Sequence, residues 1–65
     1  MSQKSIKKLL DIAINKPVAI FDKYGKYKKG IVREVNNKQY VIESIERYPK
    51  KSRCKISSIH ELYIL

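Results

Sequence analysis

Clusters of cations interleave with tyrosines along this 65-residue chain. Lys26, Lys28 and Lys29 sit beside Tyr24 and Tyr27, and Lys50, Lys51, Arg53 and Lys55 follow Tyr48; Lys4, Lys7 and Lys8 stand near the start. Such a pattern suits a polyanion that carries flat rings. Ammonium and guanidinium groups follow phosphates, while phenol rings stack on bases at about 1–3 kcal/mol per base. Fifteen Lys and Arg against six Asp and Glu leave a net charge of +9. The first 30 residues hold eight bases to two acids and the remainder seven to four, so the charge covers a folded surface and is not confined to a tail. That excess is above the net charge of about 2–8 that solubility asks of a small domain. A phosphate-rich partner fits it best.

Residues able to make and break bonds are scarce. His60 is the only histidine and Cys54 the only cysteine. A metal site needs three or four ligands, and a Cys-His pair would lack the third group that orients the base. A chain this short also offers little concave volume for a small-molecule substrate. The expectation is therefore a binding protein, with no enzymatic activity, cofactor or metal. A single thiol excludes an internal disulfide and suits a reducing compartment. No apolar run reaches the ~18 residues of a membrane span, and the opening MSQKSIKKLL lacks the features of a signal peptide, so the reading is cytoplasmic.

The elements that must position these side chains follow from the periodicity. Residues 1–65 fit one domain. Ile6, Leu9, Leu10, Ala13 and Ile14 recur at helical spacing, with Lys4, Lys7, Lys8 and Asp11 on the other face, which predicts an amphipathic helix over about 5–15. Ser2 or Ser5 can cap it, and Pro17 stops it near Asn15. This helix carries no Trp or Phe for a membrane surface, and capping one open end of a barrel is its expected use. After Pro17 the period changes to that of strands: VAIFDKY, KYKKGIVREV, QYVIESIER, RCKIS and HELYIL. Gly25 marks a tight hairpin, Gly30 a bend or close backbone approach, and Asn36-Asn37 a second turn with left-handed geometry. A single 3₁₀ turn over SSI is expected before the last strand. Tyr63 reads as core, and Glu34, Glu43, Glu46 and Glu61 as cross-strand partners of neighbouring bases. The fold class is mostly β: an N-terminal helix and a five-stranded antiparallel, SH3-like small barrel, closed or nearly so.

The register of Gly25, Gly30 and Asn36, following a helix and the strand PVAIFDKY and preceding the run ISSIHELYI, resembles the Sm-like family, in particular its bacterial Hfq type. The likeness covers residues 5 to 64 in order. It implies a small barrel that binds RNA and assembles as a ring of identical copies. It also implies base contacts at the positions of Lys38 and Tyr40, where family members carry a stacking aromatic and, in Sm proteins, a uracil-reading Asn. Asn36 stands where the family has Asp, and Ser57-Ser58 where it has Arg-Gly, so the resemblance implies the fold more directly than it implies the family's uridine pocket.

The expected RNA-binding residues are thus Lys26, Lys28, Lys29, Lys38, Tyr40, Lys50, Lys51, Arg53 and Lys55. Single-stranded RNA is the expected partner, together with further copies of the chain. Two rivals remain: an SH3-like barrel that shares the strand pattern and binds double-stranded DNA, and a protein-interaction module whose open edge and tyrosine-rich surface bind a peptide or an acidic protein.

Overall fold

The computed structural model describes residues 2–65. Helix α1 spans Gln3–Ile12 and is followed by β1 (Pro17–Asp22), β2 (Tyr27–Val35), β3 (Gln39–Ser44), β4 (Lys51–Lys55), a 3₁₀ turn (Ile56–Ser58) and β5 (Ile59–Ile64). The five strands form one antiparallel sheet in the order β4-β3-β2-β1-β5. The helix-then-sheet architecture expected from the sequence is the one observed. Among the described residues no ladder joins β4 to β5, so the barrel is open and both edge strands are free.

The sheet is nonetheless strongly curled. Cys54 lies opposite Tyr40, and Tyr40 opposite Val35. In a flat sheet Lys28 would lie roughly 20 Å along β2 from that row, at ~3.3 Å per residue. Instead its Nζ reaches the Cys54 Sγ at 3.1 Å, which requires β2 and β4 to bend towards each other. Gly30 makes that bend sterically feasible. A Cβ there would stand 2.5 Å from the carbonyl oxygen of Glu43 and 2.8 Å from Cγ1 of Ile42. The bulge, however, falls beyond it, where the pairing with β3 shifts between Val32 and Glu34.

The core fills the inside of the curl. Val18, Ile20, Val32, Tyr40, Ile42, Ile56, Ile59 and Leu62 meet Ile6 and Leu10 of α1 and Ala13 just after it, and α1 packs against β2, the 3₁₀ turn and β5. Each such aliphatic side chain contributes about 1.5–3 kcal/mol by leaving water. The Ser2 hydroxyl caps the helix by accepting from the Ser5 N–H at 3.2 Å.

Two turns depart from expectation. Asn36 does not adopt left-handed geometry; its Oδ1 accepts from the N–H groups of Lys38 and Gln39, at 2.9 and 2.7 Å, and so closes the hairpin through its side chain. The one non-glycine residue with positive φ among those described is Asn15 (φ 66°), where the chain leaves α1 and its N–H donates to the Val32 carbonyl. Gly25 has the expected positive φ of 82°. The last two strands start earlier than the sequence pattern suggests, at Lys51 and Ile59, and the 3₁₀ turn starts one residue earlier than expected.

Two aromatic assignments are corrected. Tyr40, expected to contact RNA, is 1% exposed and belongs to the core. Burial, together with the neighbouring Cys54, pushes its phenol pKa well above the usual range. Tyr63, expected in the core, is 51% exposed. Residues alternate faces along a strand, and this alternation assigns Tyr40 to the inner side and Tyr63 to the outer side.

Candidate nucleic-acid interface

A concavity of about 1160 Å³ is an open groove where three elements converge. The first turns of α1 contribute Lys4, Lys7 and Lys8. The β2–β3 hairpin contributes Asn36, Asn37 and Lys38, and the junction of β4 with the 3₁₀ turn contributes Lys55. The amides of Gln3 and Gln39 also face it. Only one of these lysines is neutralised within the described residues: Lys7 pairs with Asp11 at 2.8 Å. The lining is mostly apolar, Ile56 included, and its polar part offers unpaired ammonium groups beside neutral donors and acceptors, an arrangement able to hold phosphate oxygens and sugar hydroxyls.

The expected site residues divide into several groups. Lys38 and Lys55 join the groove. Lys51, Arg53 and Lys55 alternate along β4 and so share one face of a free edge strand, exposed to solvent. Lys50 is exposed in the loop before it, tied by its N–H to the Ser44 Oγ at 2.9 Å. Lys26 and Lys29 are exposed at the opposite end of β2. Lys28 is half-buried and turned inward onto Cys54, so it is not a free surface cation. Of the four glutamates expected to pair across strands, Glu43 does so, with Arg33 at 3.5 Å. Glu61 instead accepts from the Tyr63 hydroxyl on its own strand, which raises the Tyr63 pKa.

A second surface went unnoticed in the sequence. Phe21 and Tyr27 are cross-strand partners around the Gly25 turn, with ring centroids 5.0 Å apart, and Tyr63 from β5 meets Phe21 edge-on at 6.2 Å. All three rings are exposed, by 39% for Phe21 and 55% for Tyr27. Lys29 and Tyr63 both lie opposite Ala19, on either side of it, so a cation flanks the ring cluster. The hairpin register about Gly25 is the signal that pairs Phe21 with Tyr27; the third ring is brought in only by the β1–β5 ladder. The remaining exposed tyrosine of interest, Tyr48, lies under the Arg47 guanidinium at 5.7 Å in the β3–β4 loop.

No protein-family model, characterised protein or solved structure matches this chain. The class that fold and surface define is a small, strongly basic, open β-barrel protein. Among the described residues no helix is long and apolar enough to cross a membrane.

Proposed function

We propose that this protein binds single-stranded RNA in the manner the Sm-like resemblance implies, holding phosphates in the lysine groove and stacking bases on the exposed rings. The observation that carries this reading is the convergence of Lys4, Lys7, Lys8, Lys38 and Lys55, distant in sequence, on one groove. Charge needed only for solubility has no reason to gather in a concavity. The ring cluster favours single strands over duplex, since stacked and paired bases present no free faces. The free edges of β4 and β5 are the surfaces through which copies would join, each donating one strand to the next copy's sheet.

The test is a titration of a labelled single-stranded RNA against a duplex DNA of equal length. With about four groove cations engaged, the logarithm of affinity for RNA falls with the logarithm of salt at a slope near −3, from about −0.7 per phosphate contact. Salt-independent binding, or a preference for duplex, overturns the reading. Mass measurement in solution tests the assembly: a closed ring of copies supports it and a stable monomer refutes it.

A further inference from the structure

We infer that a small cleft beside the groove reads guanine in the bound strand, an inference that rests on the RNA-binding reading above. Val41 of β3 lies opposite Glu34 on β2 and opposite Arg53 on β4. The three residues thus form one row across the sheet, with an apolar floor between an acid and a base. Over this row is a cleft of about 140 Å³, whose lining also includes Asn36 and Gln39. That volume equals the space of only four or five waters, at ~30 Å³ each. It suits a single flat ring system.

Two features indicate a ligand with donors and acceptors. The backbones of Glu34 and Arg53 are two strand spacings apart, roughly 10 Å. Neither residue enters an ion pair among the described residues, whereas the adjacent Arg33 pairs with Glu43 and with the Asn15 side chain. The bulge between Val32 and Glu34 lets the acid oppose Val41. A carboxylate beside a cationic groove also repels phosphate, so it serves no purpose in backbone binding. It does serve to accept from a base. Guanine alone among the four bases presents two adjacent donors, N1–H and N2–H₂, for a carboxylate, and two adjacent acceptors, O6 and N7, for an Arg fork. Both edges are available in a single strand. Asn36 and Gln39 line the cleft and the groove alike, so a strand whose phosphates follow the lysines can place one base over Val41.

The experiment uses the full chain and a 12-nucleotide oligouridine in which one central position is varied. A guanine there tightens binding about tenfold over adenine, cytosine or uracil. Inosine, which lacks the 2-amino group, loses most of that gain, and so does Glu34→Gln. Glu34→Gln leaves affinity for plain oligouridine equal or higher, because it removes a negative charge from an exposed site. Arg53→Lys keeps the salt dependence but lowers the guanine preference. Equal affinity for all four bases, or a guanine preference unaffected by Glu34→Gln, overturns the inference while the RNA-binding reading stands. Should no oligonucleotide bind at low salt, the RNA-binding reading fails; amide shifts at Glu34 and Gln39 on adding guanosine monophosphate would then assign the cleft to a free nucleotide, and their absence would eliminate it.

Discussion

Strand β2 begins among rings and ends among lysines. Tyr27, its first residue, packs at a tilt against Phe21 beside Tyr63, whereas its last residues lead into the hairpin whose Lys38 shares a groove with Lys4, Lys7 and Lys8. The first end has rings flanked by a cation and the second has cations and amides with no ring in the lining. Stacking is short-ranged and indifferent to salt, while phosphate attraction is long-ranged and screened by it. A single strand that meets both ends is therefore held by two separable energies. Gly30, between them, lets β2 approach the Glu43 backbone more closely than a side chain would allow.

The most severe way to break this comparison is to block that close approach. Gly30→Val forces side-chain atoms into the Glu43 carbonyl, and the expected loss is at least ~3 kcal/mol. A 65-residue domain has roughly 3–10 kcal/mol in total, so urea denaturation should find the variant largely unfolded. A wild-type midpoint would show that the curvature does not depend on this position. Gly25→Ala, with open space around it, meets only the strain of positive φ and should cost about 1 kcal/mol.

Charge reversal at the groove comes next. Lys38→Glu with Lys55→Glu should weaken RNA binding about 100-fold at moderate salt and flatten the salt slope by 1–2 units, measured by anisotropy across a salt series. Phe21→Ala should cost about tenfold and leave the slope unchanged, as expected for one lost stack. If both variants alter the slope equally, the two ends do not act by different forces.

The smallest effect lies inside the barrel. Burial holds the Tyr40 phenol neutral in the folded state, while the unfolded chain ionises it near pH 10. Between those two values the unfolded state has fewer protons, so stability falls as pH rises above about 10 and is unaffected below it. Thermal melts from pH 8 to 11 should show a steeper decline for wild type than for Tyr40→Phe. Parallel curves would mean that Tyr40 does not contribute to alkaline unfolding.

Much of the architecture was legible in the sequence because the signals are local. Ile6 and Leu10 mark the buried stripe of α1 by spacing alone, and Gly25 marks a hairpin by backbone freedom. The candidate site was legible only in part. The excess of lysine announced a polyanion, but Tyr40 and Lys38, two residues apart near one turn, both looked like base contacts; the inward curl of β3 buries Tyr40 and leaves Lys38 exposed. Asn36 looked like a left-handed turn residue, and its side chain closes the turn in another way.

Composition and periodicity by themselves determined a basic chain of one helix and five short strands, since charge and burial patterns are properties of the residues and their order. Tertiary structure decided which cations share a groove, that Tyr27 and Tyr63 both meet Phe21, and that Glu34 and Arg53 flank Val41. Those juxtapositions depend on strand register and on the curl of the sheet, which bring together residues that no local spacing connects.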